Sequence, residues 1–414
     1  MPFSSDHPHV VIIGAGLLVA GAYRLARDTL GLGTIGVDRN AEALAEVAAD
    51  VPVVVSTKDE DAVVSAITDL ARSVHIIGVF TCGADVEITV AAVAKALNVP
   101  GIPVDVARRC NDKLAMHRFL DAAGFAAKPR WAFATTPTDA CDAVREIGLP
   151  CVVKPIDNCA SRGVQIIEDP ALMEDAFDLA CGFNLGASGV LIEQALRGSK
   201  HTVEMITDGT DWHLLSIIDT HYISPRWPCE TGLETTRLAP EDQARLFAFA
   251  QDVARLVGID YNAHKVDVNL AEDGTIGLIE LTARLSGGFH CQYVSPLAYG
   301  SNDILAALKM ACGMGLDREA VHHRREDAAA VRAAFPPPGR LTRVDIDSAL
   351  AVPGVRHVFA MRHKGDMVGP YRNSADRPVF VIATGTDVDA AVKAAEAGVV
   401  ALALETEPVG ADAV

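Results

Sequence analysis

A chain of 414 residues, half of them hydrophobic and 22% charged, has enough material for two or three domains with separate cores. Its formal net charge of −18 argues against a nucleic-acid backbone or an anionic membrane as the main partner, because a general negative field repels both. Nine cysteines without a CxxC pair or metal-type spacing point to reduced thiols in the cytoplasm, and no apolar run approaches the roughly 20 residues that span a bilayer.

The first apolar run, "HVVIIGAGLLVAG", reads as a strand, a tight Gly14-Ala15-Gly16 turn and a helix, with Asp38 following in "IGVDRN". That is the outline of a dinucleotide site, but the third glycine would fall at Val19 and Gly21 is out of register. A bare strand-turn-helix is therefore the preferred reading, with an NAD(P)-dependent or flavin oxidoreductase kept as a distant alternative. Up to residue 105, β-branched runs ("TIGVD", "VPVVVS", "IIGVFT") alternate with Ala-rich helices such as "VEITVAAVAKALNV". This predicts an α/β domain, residues 1–105, with a parallel sheet covered by helices. "VPGIP" closes it.

From 106 to 315 the pattern mixes strands and helices without regular alternation, an α+β signature. A helix at "KLAMHRFLDAAGF", strands around "CVVKPIDNCASRGVQII" and the helix "PTDACDAVREIGL" form one lobe at about 110–190. Strands at "VLIEQAL", "HTVEMIT", "WHLLSIIDT", "HKVDVNL" and "IGLIEL", with the helix "PEDQARLFAFAQDVARLVG", form a second at about 190–315. Residues 316–414 hold the basic stretch "HHRRED", the linker "FPPPG" and a small β-rich end closed by the helix "DVDAAVKAAEAGVVALAL".

Two segments carry chemistry. In "CVVKPIDNCASRGVQII", Lys154 ends an apolar strand and precedes a loop of small residues, Asp157 to Gly163, whose N–H groups can fold over phosphate oxygens. A plain hairpin with a surface lysine fits that segment equally well. In "HKVDVNLAEDGTIGLIELTARLSGG", Asp267 and Glu280 lie on strands joined by a turn at Glu272-Asp273-Gly274, so one hairpin can bring both carboxylates together. Two carboxylates beside phosphates suit Mg²⁺, and two solvated acids on a hairpin are the plain alternative. Arg284 and the donor-rich turn Ser286-Gly287-Gly288 follow.

Taken together, Lys113 in "CNDK", Lys154 in "VVKP", the loop "SRGV", Glu193, Leu196 and Gly198 in "IEQALRG", and Glu280 to Arg284 in "IELTAR" resemble the ATP-grasp superfamily, in its order and at its separations. The resemblance covers nearly the whole chain. The first domain is similar to a pre-grasp domain, residues 106–315 to the two grasp lobes, and the tail to the C-terminal domain of biotin-carboxylase-like and L-amino-acid-ligase-like members. It implies ATP and Mg²⁺ as cofactors. Lys113 and Lys154 would meet the phosphates, and Ser161, Arg162 and Gly163 would form the lid. Glu193 and the backbone at Ala195 and Leu196 would read adenine, and His201 the ribose, with Glu204 following on the same strand. Asp267 and Glu280 would hold magnesium, Arg284 would stabilise the acyl phosphate, and Arg284, Lys154 and Arg162 form the implied catalytic set.

Three positions depart from the family pattern. Asp267 stands where Glu is usual, Thr282 where an Asn often adds a third metal contact, and Leu233 in "PCETGLETT" where a His would follow Glu230 and Gly232. Candidate substrate contacts are Arg226, Trp227, Glu230, Arg284, Ser286, Gly287 and His290, with Arg226 facing a carboxylate and Glu230 an ammonium; an exposed loop with one buried Trp is the alternative for "SPRWPCE". The resemblance implies an ATP-dependent carboxylate-amine ligase that forms an amide through an acyl phosphate, from an amino acid or small carboxylic metabolite. A bicarbonate-activating, carboxylase-like enzyme is the first alternative, and a nucleotide-binding protein without turnover is another. Small-molecule partners follow, and the Ala-rich helices of the first domain offer a surface for a homodimer.

Overall fold

The computed structural model describes residues 7–224, 226–321 and 327–408, so most of the basic stretch, 322–326, lies outside the described residues. The first domain runs β1 (His9–Ile13), α1 (Ala20–Arg24), β2 (Gly33–Asp38), α2 (Ala41–Glu46), β3 (Val51–Val54), α3 (Glu60–Leu70), β4 (Ile76–Phe80) and α4 (Glu87–Leu97). Its sheet is parallel in the order β3-β2-β1-β4. β1 is buried at all five positions, as expected of a central strand with helices on both faces. Gly14 takes φ +101°, and the Ala15 N–H that follows donates to Asp38 Oδ2 at 3.0 Å. The other Asp38 oxygen accepts from the Asn40 N–H at 2.9 Å. Asp38 thus ties the β1 turn to the end of β2 through Oδ2, while Oδ1 holds the turn that leads into α2.

Two helices that pack on each other, α5 (Val104–Asn111) and α6 (Lys113–Ala122), lead into the next lobe. Asp112 ends the first and caps the second, accepting the Ala115 N–H at 2.9 Å. Lys113 thereby starts a helix instead of trailing from a loop. The small lobe follows as β5 (Trp131–Ala134), α7 (Pro137–Ile147), β6 (Cys151–Pro155), β7 (Gln165–Ile167), α8 (Met173–Gly182) and β8 (Val190–Gln194). Its antiparallel sheet has the order β5-β8-β6-β7, and α7 opens with a Thr136/Asp139 capping box and Pro137 in its first turn.

The large lobe contains β9 (Ser199–Thr207), β10 (Trp212–Tyr222), β11 (Glu230–Thr235), α9 (Pro240–Val257), β12 (Asn262–Leu270), β13 (Ile276–Thr282), α10 (Ser295–Tyr299) and α11 (Asp303–Ala311). The last part contributes β14 (Ala328–Ala334), β15 (Gly339–Arg343), α12 (Ile346–Leu350), β16 (Val355–Ala360), β17 (Met367–Val368), β18 (Val379–Gly385), α13 (Val388–Ala401) and β19 (Glu405–Glu407). Eight of these strands form one sheet, β13-β12-β9-β10-β11-β14-β18-β16, which crosses residue 315 without a break. β14, "AAAVRAA", has a composition that favours helix, yet it pairs with β11 on one side and β18 on the other. Ala328, Ala330 and Ala383 of this sheet pack on Ala391 and Ala395 of α13, a contact that larger side chains would hold apart. Among the described residues, no helix is long and apolar enough to cross a membrane.

Candidate active site

Strand alternation builds one wall of a cleft. Asp267 of β12 sits directly opposite Glu280 of β13, and Val266 and Val268 point away into the core. On the other side of β12, Thr202 of β9 is opposite Asp267 and donates its hydroxyl to Oδ1 at 2.7 Å. Lys265 shares the Asp267 face, pairs with Asp267 and lies 3.7 Å from Glu280. Lys113, at the start of α6, comes within 3.4 Å of Glu280 and donates to the Asn158 carbonyl at 2.8 Å. Burial alone would lower the Lys113 ammonium, but Glu280 and Asp85 outweigh it and the net shift is upward. Both lysines are cations held in place by the two acids. The cleft encloses about 400 Å³, the size of a small-molecule site.

The small lobe supplies the facing wall. Lys154, at the end of β6, is buried and lies 2.6 Å from Glu193 Oε1 of β8, which is also 2.6 Å from His117 Nε2 of α6. His117 in turn stacks on Trp131, with ring centres 5.0 Å apart. Burial pushes the Glu193 carboxyl up, but Lys154 and His117 prevail and bring it down to about 2. The Glu193 carboxylate therefore orients Lys154 from inside the lobe.

Between β6 and β7, the small-residue loop has three residues in the left-handed region: Ala160 (φ 56°), Ser161 (φ 58°) and Gly163 (φ 73°). For the two non-glycines this conformation costs of order 1–3 kcal/mol each and persists only where neighbours over-determine it. At Gly163 a Cβ would also fall 2.8 Å from Phe183 Cβ, so glycine is required twice over. Asp157 anchors the start of the loop, accepting the Leu185 and Ala187 N–H groups at 2.8 and 2.9 Å. Arg162 turns back onto Cys159, its Nη1 3.3 Å from Sγ, instead of lining the cleft. The Cys159 thiol is raised to about 11 by burial and by Asp85, which keeps it protonated and unreactive.

Arg284, just beyond β13, is buried and clasped by two acids of the first domain: it pairs with Asp85 and lies 3.2 Å from Glu87. Asn111 donates to the other Glu87 oxygen at 2.8 Å. Burial raises Glu87 to about 7 against the pull of Arg284, whereas for Asp85 Arg284 and Cys159 outweigh burial and lower it. Beneath the Ser286 turn lies a second buried acid, Glu204, which accepts the Ser286 N–H and lies 3.7 Å from His290 Nδ1. His290 Nε2 is 2.7 Å from Ser216 Oγ, which is 2.7 Å from Ser295 Oγ. Burial lowers His290 to about 3, so its ring is neutral, and raises Glu204 to about 7.

The Glu204 shift makes a prediction. A carboxyl whose folded pKa exceeds its unfolded value binds its proton more tightly in the native state, so its ionisation destabilises the fold as pH rises from about 4.5 to 7. Glu204→Gln has no such charge to bury. The variant should therefore gain stability relative to the wild type between pH 5 and pH 8, by roughly 1–3 kcal/mol. Thermal melts of both proteins at the two pH values check this, and a constant difference would refute it.

At the outer end of the cleft, Glu230 of β11 pairs at 2.6 Å with Arg377, which arrives from the last part of the chain. Of the residues expected at the site, Lys113, Lys154, Ser161, Glu193, His201, Glu230, Asp267, Glu280, Thr282, Arg284, Ser286, Gly287 and His290 line this one cleft. Arg162, Gly163, Ala195, Leu196, Arg226 and Trp227 do not line it. Arg226 stacks 5.1 Å from the Trp227 ring centre, and its Nη2 lies 3.4 Å from Gln165 Oε1. His201 borders the cleft, but its two ring nitrogens are engaged by Asp219 and Ser199, each at 2.7 Å. Sequence reasoning missed Lys265, Lys200, Asp85, Glu87 and Arg377; only Lys265 had a signal, two residues before Asp267 on the same strand face.

The donor set at Asp267 and Glu280 fits a magnesium ion, which takes one or two carboxylates and completes its shell with phosphate and water. Among the described residues, no group of three or more His, Cys, Asp or Glu side chains could form a closed metal cage. Residues 147–292, which carry Lys154, Glu193, Asp267, Glu280 and Arg284, match the family model described as the ATP-grasp domain. The chain carries an ATP-grasp domain. Residues 332–407 match the L-amino acid ligase C-terminal domain 2.

Similar proteins extend the likeness beyond the ATP-grasp segment. The uncharacterized protein y4rH of Sinorhizobium fredii is 29% identical over 336 residues, 80% of this chain and 68% of that protein. The solved L-amino acid ligase of Bacillus licheniformis superposes with a TM-score of 0.83 at 20% identity, covering 98% of this chain and 99% of its own. The biotin carboxylase domain dimer of the Hydrogenobacter thermophilus 2-oxoglutarate carboxylase, solved with MgADP, ADP and bicarbonate, gives 0.69 at 19% identity, covering 93% and 88%. At these identities the two structures establish a shared fold.

Proposed function

We propose that the protein is an ATP-dependent carboxylate-amine ligase that works through an acyl phosphate. The observation that carries this reading is the convergence of Lys113, Lys154 and the paired Asp267 and Glu280 on one cleft, with Lys154 facing the two acids from the small lobe and Lys113 beside Glu280. Lysines and carboxylates converging on one space suit a metal-bound triphosphate, where transfer depends on positioning and charge neutralisation. Asp267 and Glu280 would hold Mg²⁺, which supplies neutralisation of the phosphate charge. Lys113 and Lys154 receive the phosphates as point charges, and Glu193 with His117 fixes the direction of Lys154. The 157–164 loop closes over the phosphates with its backbone N–H groups.

In the reaction, an oxygen of the substrate carboxylate takes the γ-phosphoryl group and ADP leaves. The amine then attacks the acyl carbon, the C–N bond forms, and inorganic phosphate departs as the amine proton is lost to solvent or a nearby base. Arg284 stabilises the negative charge that builds up on the acyl oxygen, in a position set by Asp85 and Glu87. The matching L-amino acid ligase C-terminal domain supports an amino acid or small carboxylic acid as substrate. The Glu230 and Arg377 pair offers one charge of each sign at the far end of the pocket.

Phosphate release from Mg²⁺-ATP, measured with pooled amino acids and carboxylic acids and followed by mass spectrometry of the product, tests the reading. An ATP-dependent product lighter than the sum of its two substrates by one water is expected. Release stimulated by bicarbonate alone would replace this reading with the carboxylase-like one, which the fold shared with the biotin carboxylase domain supports.

A further inference from the structure

The outer end of the cleft is closed by a part of the chain that lies far from it in sequence. Residues 372–377, between β17 and β18, form a preshaped hook: Asp376 accepts the Arg372 and Asn373 N–H groups at 2.8 and 3.0 Å, and the Asn373 side chain accepts the Ala375 N–H at 2.9 Å. From this hook the Ser374 N–H donates to the Ala160 carbonyl at 2.9 Å, in the middle of the small-lobe loop. The Asn373 carbonyl accepts from the Cys229 thiol at 3.1 Å. Arg377 pairs with Glu230 at 2.6 Å, and its Nε donates to the Ser374 carbonyl at 2.7 Å. Arg372 lies 5.3 Å from the ring centre of Trp227, the ring that also carries Arg226.

Three separate stretches of chain therefore meet at the hook: the 157–164 loop, the approach to β11, and the last part of the chain. The loop holds Ala160 and Ser161 in a backbone conformation that side-chain-bearing residues rarely adopt. Such a conformation needs support from outside the loop, and the Ser374 N–H supplies it at Ala160 itself. Arg377 fixes the height of that N–H, because its Nε donates to the Ser374 carbonyl while Nη1 is anchored to Glu230 at the outer end of the cleft.

We infer that Arg377, acting through the Ser374 N–H, is a positioning residue that holds the 157–164 loop closed, so that the last part of the chain sets how readily the lid opens. The inference rests on the ATP-dependent reading for what the lid covers, but the loop contact itself does not depend on it. Removing the Arg377 charge frees the hook from Glu230 and leaves the loop without its outside support. The cleft would then open more often and release a bound nucleotide faster.

Hydrogen exchange on the full, ligand-free chain tests the contact directly. The Arg162 and Val164 amides, hydrogen-bonded within the loop, are the reporters. Peptides spanning 157–164 should exchange about tenfold faster in Arg377→Met, and within about threefold of wild type in Arg377→Lys, which keeps the charge. Arg237→Ala, which breaks an exposed pair with Asp389 elsewhere in the same region, should leave them unchanged. If Arg377→Met also loosens the β14 and β18 peptides, Arg372→Ala decides, with faster exchange confined to the loop expected. Dissociation of Mg²⁺ and the nonhydrolysable analogue AMP-PNP should accelerate by a similar factor. Wild-type exchange of the loop in Arg377→Met, or in Arg372→Ala where Arg377→Met also loosens β14 and β18, would overturn the inference, even if the analogue binds. Failure of the analogue to bind any of these proteins would instead count against the ATP reading, with the exchange result still deciding the contact.

Discussion

Lys154→Met is expected to lower ATP-dependent phosphate release about 100- to 1000-fold, the loss typical of removing one donor aimed at developing charge. The same change should destabilise the protein. Lys154 is one of two groups that hold the buried Glu193 carboxylate ionised, and breaking a buried pair costs about 3–5 kcal/mol. His117, still 2.6 Å away, keeps the loss toward the lower end. Lys154→Met/Glu193→Gln should regain most of that stability without regaining activity, since no uncompensated charge is left inside. Urea unfolding of the three proteins, set beside their phosphate-release rates, checks both halves. The sign of the pH dependence follows as well. Glu193 is depressed to about 2, so its stabilising contribution is present above its unfolded value and fades as pH falls from about 4.5 toward 2. Both variants should flatten that acid limb, and a wild-type acid limb in the double variant would refute the assignment.

Arg284→Met has the second large effect, and it separates function from folding in a different way. The guanidinium is buried between Asp85 and Glu87, both delivered by the first domain. Removing it takes from both carboxyls the cation they clasp, at a cost of about 3–5 kcal/mol, partly relieved because Glu87 already sits near 7 and readily takes a proton. Arg284→Met/Asp85→Asn should therefore fold nearly as well as the wild type. Its kcat should still be lower by about 100-fold or more, with KM for ATP changed little, because the lost contact acts on the acyl group during the reaction. Steady-state kinetics in ATP decides it: a rise in KM at constant kcat would move Arg284 out of the chemical step.

The contrast between these residues shows how far the sequence could be read. The β12-β13 hairpin was legible because strand alternation and a Glu272-Asp273-Gly274 turn are local signals, and they place Asp267 opposite Glu280 without any knowledge of the fold. Lys154 was legible only in company: alone, a hairpin with a surface lysine fitted the segment as well, and its order and separation from Lys113, Glu193 and Glu280 singled it out. Asp85 and Glu87 were not, since they approach Arg284 from about 200 residues away and look, in sequence, like the ordinary acidic start of a helix. β14 was hidden by its alanines, whose helix preference is overridden by hydrogen bonding to β11 and β18 on either side. The roles expected of Arg226 and Trp227 depended on where a loop turns, which the residue pattern does not encode; the two side chains stack on each other beside the cleft.

The eight-stranded sheet described above also bears on how this chain can be divided. Gly232, Leu233 and Glu234 of β11 are paired with Arg332, Val331 and Ala330 of β14, so the two sequence modules share a hydrogen-bonded seam and not a hinge. A truncation placed between them would turn β11 into an open edge, with unpaired N–H and C=O groups beside an apolar core, which is a template for self-association. The part carrying Lys113, Lys154 and Glu280 would then be sticky before it was inactive. Mixing modules among relatives is constrained in the same way: a foreign C-terminal piece must match the register of β11 before it can influence catalysis.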